Sequence, residues 1–151
     1  MRVTFRDARA EDVPAVVALL ADDMLGATRE RQDMDLYRAA FEAMRAEGAN
    51  DLIVGEDGAG RIVATYQITF ISGLSLAAAR RAQVESVRVA SNLRGQGVGQ
   101  MMFADAEARA REAGCRLVQL TMNATRTESR RFYQSLGFEA SHVGFKKPLE
   151  G

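Results

Sequence analysis

The amino-acid sequence predicts an α/β fold in a single domain over residues 1–151. One observation is the order of patterns along the chain: strand, two helices, three strands, helix, strand, helix, strands. Another is the strand–helix–strand unit at residues 83–122, which is typical of α/β architecture. The third is size and balance, because 151 residues with 47% apolar and 26% charged side chains are ordinary for one globular domain.

The N-terminal third predicts a strand followed by a helix. Residues 3–6 are few and alternate in polarity, which indicates a short strand. Acidic Glu11 and Asp12 precede Pro14, and proline suits the first helical turn because the N–H it lacks would be unpaired there. The predicted buried face of this helix has helical spacing: Val13, Val16, Val17 and Leu20. Residues 24–32 are predicted to be a connector.

A second helix and a β-hairpin are predicted next. The helix covers residues 35–46 and ends at Gly48. Its predicted inner face consists of Leu36, Ala39, Ala40 and Met44. Residues 51–56 and 61–71 are predicted strands, and the four residues between them, Asp57-Gly58-Ala59-Gly60, are a strong turn signal. Residues 72–81 leave two interpretations open, a loop or a short helical turn.

The C-terminal half supplies the central unit. Residues 83–89 alternate, which predicts a strand with Val84, Ser86 and Arg88 on one face and Glu85, Val87 and Val89 on the other. A helix over residues 97–113 follows, with an inner stripe of Val98, Met102, Ala106, Ala110 and Ala113. We then expect a strand at 116–122, a short helix at 128–136 closed by Gly137, and a hairpin or strand pair within 138–147.

Charge and cysteine content narrow the class of function. Twenty basic and 20 acidic residues give a formal net charge of zero, so no global attraction to nucleic acid or to a membrane is expected. One cysteine, Cys115, excludes an intramolecular disulfide, and the first seven residues lack an apolar signal-type stretch, so we expect a cytoplasmic protein. Metal-ligand spacing is absent, so no metal is expected. His142 is expected to be an ordinary strand histidine, and Cys115 a small buried side chain.

The strongest motif is the glycine-rich segment Arg94-Gly95-Gln96-Gly97-Val98-Gly99, between a predicted strand and a predicted helix. Glycines at every second position let backbone N–H groups approach a ligand closely. The helix that begins there adds unpaired N–H donors and the positive end of its dipole, and Arg94 adds a charge at the rim. The segment therefore predicts an anion site.

Two other phosphate motifs do not fit this segment. A Walker loop ends in Gly-Lys-Ser/Thr, whereas Gly99 is followed by Gln100 and Met101. A dinucleotide fingerprint has the spacing G-x-G-x-x-G and an acidic residue about 20 positions later, and neither is present. On the loop alone, a turn that merely links strand to helix and a nucleotide site with a fortuitous loop both stay open.

A second motif lies downstream, at Arg131-Phe132-Tyr133-Gln134-Ser135-Leu136-Gly137-Phe138. Together, Arg94-x-x-Gly97-x-Gly99 and this segment resemble the Q/R-x-x-G-x-G/A and F-Y-x-x-L-G-F elements of the GNAT superfamily of N-acetyltransferases. The resemblance is specific from about residue 83 to residue 138 and extends to the order of elements. It implies a mixed, mostly antiparallel twisted sheet with helices on both faces and a V-shaped split between two central parallel strands.

The resemblance also implies acetyl-CoA as the donor and assigns residues to it. Backbone groups of Val87 and Val89 would bond the pantetheine arm, and Asn123 is placed to bond it from the next strand. The pyrophosphate would be held by the glycine-rich segment and its flank: Arg94, Gly95, Gln96, Gly97, Val98, Gly99 and Gln100. One of Arg126, Arg130 and Arg131 is a candidate for the 3′-phosphate, although a solvated helix face explains at least two of them.

Two residues are implied to carry the chemistry. Tyr133 corresponds to the family's general acid, because a phenol with a pKa near ~10 stays protonated at neutral pH and can protonate a leaving thiolate. Glu85 is the candidate base for the substrate ammonium; alternatively, it only orients a cationic substrate or pairs with an arginine. The N–H of Val87 would polarise the thioester carbonyl.

The acceptor is the least determined part of this hypothesis. The resemblance implies a small-molecule or peptide amine, with Met24, Leu25 and Met34 beside one wall of its site. Homodimers are frequent in that family, so a homodimer is one implied assembly. The sequence departs from the family at Arg126 and Ser129, where many members carry Asn and Ala, which leaves open the side chain that bonds pantetheine. A non-catalytic acyl-CoA sensor is the alternative function.

Overall fold

A computed structural model describes residues 2–22 and 33–150, and its centre is a five-stranded mixed sheet. The strands are β1 (Thr4–Asp7), β2 (Asn50–Glu56), β3 (Ile62–Ile71), β4 (Arg81–Val89) and β5 (Leu117–Leu120), and they lie in that order across the sheet. The pairs β1–β2, β2–β3 and β3–β4 are antiparallel, and β4–β5 is parallel. The predicted α/β class and the mostly antiparallel sheet are confirmed.

Within the described residues, four helices cover the sheet: α1 (Val13–Ala21), α2 (Met34–Glu47), α3 (Val98–Glu112) and α4 (Thr127–Ser135). Single 3-10 turns precede α1 at Ala10–Asp12 and α3 at Ser91–Leu93. Two apolar clusters show that helices lie on both faces. One joins α1 and α2 through Val13, Val17 and Phe41, and the other joins α3 to the opposite face of the sheet. The predicted connector at 24–32, including Met24 and Leu25, lies outside the described residues.

Helix α3 confirms most of its predicted stripe. Four positions of the stripe are buried to 2% exposure or less, namely Val98, Met102, Ala106 and Ala110, whereas Ala113 is half-buried. Phe103, which the stripe omitted, is also buried. Mid-helix, Asp105 accepts a hydrogen bond from the buried Tyr66 hydroxyl (2.5 Å) and one from Arg109 Nε (2.8 Å). The bond from Tyr66 fastens the helix to β3, and the bond from Arg109 lies within the helix.

The predicted inner face of α2 is wrong in most positions, although Met44 is half-buried and lies on the side that faces α1. Leu36 is 46% exposed, and the predicted Ala39 and Ala40 are exposed as well, whereas Phe41 is 5% exposed. Tyr37 and Met34 join Phe41 against α1 and Leu52. Tyr37 and Phe41 are four positions apart and therefore lie on one side of the helix. They carry more apolar area than the leucine and the alanines, so the helix buries the side that bears these two rings.

Strand β4 contains a β-bulge that overturns the predicted alternation of its faces. Ser86 has a left-handed backbone (φ 54°), and the β3 register passes from Gln67 opposite Glu85 to Thr65 opposite Arg88. One extra residue in a strand reverses the side that later side chains face. Val87 and Val89 therefore pack on the same apolar cluster as Val84.

The parallel pair β4–β5 splits after four residues. Their register extends from Arg81 opposite Leu117 to Val84 opposite Leu120, and from Glu85 onward β4 has no β5 partner. This confirms the V-shaped split. Within the described residues, however, β5 lies at the edge of the sheet, because residues 138–150 contain no strand. The predicted hairpin or strand pair at 138–147 is thus absent, and residues 139–150 are all exposed.

The ambiguous segment at 72–81 is also settled. A single turn occupies Ser75–Ala78, and Leu76, Ala77 and Ala78 have positive φ angles of 54°, 56° and 60°. Positive φ in three consecutive residues other than glycine makes a left-handed turn, which costs about 1–2 kcal/mol per residue. Of the two open interpretations, the short helical turn is the one observed, and its hand is left.

Candidate functional site

The glycine-rich loop forms the N-terminus of α3. Gly95 and Gly97 have φ angles of 80° and 84°, and Gly97 is the residue that caps the helix. An added Cβ at either glycine would meet no atom within 4 Å, so the space beside the loop is open to a ligand. Arg94 and Gln96 are exposed at its rim. Both glycines are therefore required by backbone conformation, and both leave room beside the chain.

Free N–H donors are concentrated at this helix end. The first hydrogen bond into α3 runs from the Met101 N–H to the Gly97 carbonyl (3.2 Å), and the N–H groups of the first turn have no partner inside the helix. Among the described residues, no side chain caps α3, and its first turn has no acidic residue. Val98, Gly99 and Gln100 thus present N–H groups to a negatively charged ligand, with the helix dipole in support.

Gly99 has a packing role in addition to the predicted one. A Cβ at this position would lie 2.7 Å from Phe132 Cζ, so the absent side chain admits the Phe132 ring and not a ligand. Phe132 belongs to the second sequence motif and lies on α4. The two motifs therefore touch, and the donor loop and the helix that carries Tyr133 are held together by this contact.

Substituting Gly99 by alanine is expected to lower stability by about 1–3 kcal/mol, the usual effect of adding a methyl group to a packed contact. Gly58→Ala is the matched control, because its Cβ would meet nothing within 4 Å and its φ is not positive. Urea unfolding of both variants measures the difference. A Gly99→Ala, Phe132→Leu double variant should recover part of the loss. Equal midpoints for the two single variants would contradict the contact.

Tyr133 lies in a cluster of aromatic rings on α4. Its ring centroid is 5.5 Å from that of Phe103, 5.4 Å from Phe132 and 6.0 Å from Phe138. Burial raises the pKa of the Tyr133 hydroxyl, while the positive charges of Arg126 and Arg88 act in the opposite direction. The hydroxyl consequently keeps its proton at neutral pH, and two nearby cations would stabilise any negative charge that forms beside it.

Three predicted site residues, Glu85, Val87 and Val89, lie on the part of β4 that extends beyond its pairing with β5. Glu85 is exposed at the point where β4 leaves β5, and Ser86 and Val87 occupy the bulge without a register partner on either neighbouring strand. The carbonyl of Val87 accepts a hydrogen bond from Arg88 Nη1 (2.9 Å). The bulge thus leaves the backbone of Ser86 and Val87 without strand pairing, next to the Glu85 carboxylate. The register of Val89 with Ala64 shows that regular pairing resumes beyond it.

A cavity of about 110 Å³ lies on the α1–α2 face of the sheet and reaches the bulge. Apolar side chains of α1 and α2 form most of its wall, including Leu20, Phe41 and Met44. Its polar members are Thr65, Gln67 and Ser86. Since Ser86 follows Glu85, this cavity opens beside the predicted base. Met34, the one described residue of the predicted acceptor wall, packs beside Phe41.

Asn123 is exposed beyond the end of β5, and its side-chain oxygen is engaged locally. Asn123 Oδ1 accepts hydrogen bonds from the Thr125 N–H (3.0 Å) and from Thr125 Oγ1 (2.6 Å). The Arg126 N–H donates to the Asn123 carbonyl (3.0 Å), which closes the turn into α4. Contacts between Asn123 and a pantetheine arm remain a prediction, and they would have to use the amide nitrogen of the side chain.

With this geometry in view, comparison with known proteins decides the family. The model described as "Acetyltransferase (GNAT) family" matches residues 14–138. The chain belongs to the GNAT acetyltransferase family. It is therefore an acyltransferase enzyme, as the two motifs predicted, and GNAT acetyltransferases use acetyl-CoA.

Three similar proteins show the range of relatives within the GNAT fold. A Bacillus halodurans C-125 protein described as a transcriptional regulator is 41% identical, with 98% of this chain and 100% of that chain covered and a TM-score of 0.92. Aminoalkylphosphonate N-acetyltransferase from Salmonella typhimurium is 37% identical over 67 residues, which are 44% of each chain. A predicted acetyltransferase from Clostridium acetobutylicum, solved with acetyl-CoA, shares the fold at 18% identity, 97% and 96% coverage and a TM-score of 0.75.

Three residues of this GNAT site escaped sequence reasoning. Arg88 was predicted only as a member of one strand face, yet its charge acts on Tyr133. Ser86 forms the bulge and lines the cavity, and Phe103 supports the Tyr133 ring. The large aromatic side chain next to Met102 of the α3 stripe is the signal that could have indicated Phe103. No pattern within β4 indicates the bulge, since it is defined by the pairing with β3.

Groups of three or more metal-ligating side chains are absent from residues 2–22 and 33–150. No helix in these ranges is long and apolar enough to cross a membrane.

Proposed function

We propose that this enzyme transfers an acetyl group from acetyl-CoA to the primary amine of a small molecule or peptide, by direct attack of the amine on the thioester. One observation carries the proposal. Gly99, in the anion-binding loop, packs directly on Phe132, the neighbour of Tyr133. The contact holds the glycine-rich loop and the helix that carries Tyr133 together, which supports a single extended donor that reaches from the loop to the Tyr133 hydroxyl.

The site fits the donor in its charge and its free space. N–H groups of residues 95–100 would hold the pyrophosphate, because the helix end presents donors with positive potential and the Gly95 and Gly97 Cβ positions are open. Backbone groups of Val87 and Val89 would bond the pantetheine arm inside the split. Bound acetyl-CoA supplies an activated acetyl carbon attached to a thiolate leaving group.

The residues around the bulge would then move protons. Glu85 accepts a proton from the substrate ammonium, directly or through water, so that the amine lone pair can attack. The N–H of Val87 polarises the carbonyl oxygen as the C–N bond forms. The C–S bond breaks, and the Tyr133 hydroxyl protonates the departing sulfur. The new C–N nitrogen loses its remaining extra proton, which restores the Tyr133 hydroxyl directly or through water, and Glu85 releases its proton to solvent. Positioning of the two reactants supplies much of the rate.

A panel of amines is needed to identify the acceptor, and the name of the Salmonella relative indicates which compounds to test first. The cavity beside Ser86 is mostly apolar and would accommodate the carbon chain of an amine. The charged nitrogen would then lie toward Glu85, which precedes Ser86 and pairs with Gln67 of the cavity wall. Aminoalkylphosphonates therefore head the amine panel, followed by polyamines, amino acids and peptide N-termini. The single cysteine is consistent with action in the cytoplasm.

The first experiment combines binding with turnover. We expect acetyl-CoA to raise the melting temperature, with a stabilisation of about 2.7 kcal/mol at 100 times its Kd. At least one amine should then release free thiol at a rate above the no-amine control. ATP and NAD serve as controls for binding of other nucleotides. An unchanged melting curve with acetyl-CoA would exclude the donor assignment.

The same assay tests the base. Glu85→Gln should lower kcat and leave the melting shift produced by acetyl-CoA unchanged, because the proposal places Glu85 beside the acceptor and away from the phosphates. Full activity in this variant would exclude Glu85 as the base. Glu128→Gln, an exposed change in the first turn of α4, is the control for loss of one carboxylate.

A second candidate function is an acyl-CoA-responsive regulator without turnover. The observation that favours it is the 41% identity to the Bacillus halodurans protein described as a transcriptional regulator. This alternative predicts the same melting shift but no thiol release with any amine. Glu85 and Tyr133 favour the enzyme, since a sensor has no need of an acid and a base at the split.

A further inference from the structure

The α1–α2 cavity, which adjoins Ser86, is enclosed by uncharged side chains. Three valines of α1 in its wall, Val13, Val16 and Val17, are 8% exposed or less, so the cavity enters the protein and is not a shallow surface groove. Within residues 2–22 and 33–150, no Asp, Glu, Lys, Arg or His side chain lines it. A group that enters this space therefore meets hydrocarbon on most sides.

The polar side chains on the β3 side of the cavity already have partners. The Thr65 hydroxyl is buried and donates to the Ile53 carbonyl (2.9 Å). Gln67 Nε2 donates to Asn50 Oδ1 (2.8 Å). A carboxylate, a phosphonate or a second ammonium in this space would give up its hydration without meeting an opposite charge in the described wall, which is strongly unfavourable. The cavity therefore discriminates against charged substituents.

A negative charge is available at one edge of the cavity. Gln67 of the wall is the register partner of Glu85, and side chains directly opposite each other on antiparallel strands project on the same side of the sheet. Ser86, another wall residue, follows Glu85 in the chain. An ammonium group held beside Glu85 would therefore have the cavity within reach of the carbon chain attached to it.

The volume of the cavity limits the length of that chain. Its volume of about 110 Å³ compares with the ~150 Å³ of an apolar protein cavity that holds benzene. In proportion, the α1–α2 cavity holds about four to five carbon atoms. A straight chain of that length fits, whereas a six-membered ring exceeds the volume.

We propose that the acceptor of this enzyme is a primary monoamine whose nitrogen lies beside Glu85 and whose uncharged chain of about four to five carbons occupies the α1–α2 cavity. This assignment rests on the proposed acetyl transfer and narrows its acceptor from amines in general to apolar alkylamines. The chain contacts the walls equally in the ground state and the transition state, so its length should change KM and leave kcat nearly constant.

A series of straight-chain alkylamines tests the cavity with the wild-type enzyme. From ethylamine to pentylamine, each added methylene should lower KM about threefold to fourfold, the effect of burying one methylene, and longer chains should bring no further gain. Putrescine has the length of pentylamine but ends in a second ammonium, and its KM should be at least about tenfold higher. Aminoethylphosphonate should also have a higher KM than pentylamine. KM values independent of chain length, or a lower KM for either charged compound, would overturn the proposal.

Two neighbouring alanines of α2 provide a matched pair of variants. Ala39 and Ala40 are both exposed, but only Ala40 lines the cavity. Leucine is nearly as good a helix former as alanine, so Ala40→Leu should fold normally and fill part of the cavity. It should raise KM for pentylamine at least about fourfold, by excluding one methylene or more, and leave KM for ethylamine unchanged. Ala39→Leu should change neither value. The same chain-length profile in both variants would contradict occupation of the cavity.

Binding measured without turnover distinguishes failure of this assignment from failure of acetyl transfer. With coenzyme A present, pentylamine should shift the backbone amide resonances of Thr65 and Ser86 in nuclear magnetic resonance spectra, and putrescine at the same concentration should not. Pentylamine binding without thiol release would exclude acetyl transfer and retain the assignment of the cavity. Thiol release from other amines, with no shift of these resonances by pentylamine, would retain acetyl transfer and overturn the assignment.

Discussion

Gly97→Glu is expected to abolish acetyl-CoA binding, with a loss of at least about 100-fold in affinity. The added carboxylate would project from the N-terminus of α3 into the open space beside the loop, where the pyrophosphate is expected. Like charges placed together at a binding site cost several kcal/mol. The measurement is the melting shift produced by saturating acetyl-CoA, which should disappear in the variant.

The hairpin turn at Gly60 provides the matched control for this substitution. Gly60 has a φ of 79°, close to the 84° of Gly97, and a Cβ at either position would meet no atom within 4 Å. Both variants therefore carry a similar backbone strain of about 1–2 kcal/mol. Only Gly97→Glu should lose the ligand effect. A full melting shift in Gly97→Glu would place the phosphates elsewhere.

Tyr133→Phe should reduce kcat by about 10²–10⁴-fold, the range typical of a general acid, while leaving the acetyl-CoA melting shift intact. The ring is retained, so its contacts with Phe103 and Phe138 persist and the fold should keep its stability. What is lost is the proton for the departing sulfur. Thiol-release kinetics with the best amine of the panel measure the change.

Tyr66→Phe is the control that separates chemistry from stability. The Tyr66 hydroxyl is buried against Asp105, so its removal should cost about 1–3 kcal/mol of stability without changing kcat. Burial raises the pKa of Tyr66 above its usual ~10. The contribution of the Tyr66 hydroxyl to the free energy of unfolding is therefore complete below about pH 10 and falls as the pH rises further. Tyr66→Phe should lack this loss of stability at alkaline pH. Equal kcat in wild type and Tyr133→Phe would remove Tyr133 from the acid role.

The pH dependence of kcat gives a second check on Tyr133. Because burial raises its pKa, the acid should remain protonated throughout the neutral range. Wild-type kcat should therefore show no loss of the acid until above about pH 10. A decline of kcat with a midpoint near neutrality that disappears in Tyr133→Phe would contradict this direction of the pKa shift.

Sequence reasoning succeeded where the signal was local and repeated. The stripe from Val98 to Ala110 follows helical periodicity closely, so α3 and its buried face were predictable. The predicted glycine-rich loop lies between β4 and α3, and Gly95 and Gly97 there have the positive φ that few other residues adopt at low cost. In α2 the same reasoning failed, since two apolar stripes compete and the larger ring of Phe41 decided the outcome.

The remaining differences have non-local causes. The bulge at Ser86 depends on how β4 pairs with β3, and no residue of β4 alone requires it. The role of Gly99 depends on Phe132, which is 33 positions later in the chain. A hairpin or strand pair was predicted within residues 138–147, but a strand also needs backbone pairing with a neighbour, and this segment pairs with none of the described strands.

The packing of Phe132 on Gly99 has a consequence for anyone who redesigns this enzyme. The loop cannot be exchanged for that of another acyltransferase as an isolated cassette, because a side chain at position 99 would push α4 away and carry the Tyr133 hydroxyl with it. Libraries that vary donor preference should therefore randomise positions 99 and 132 together. Selection on either position alone would mostly recover the parental pair.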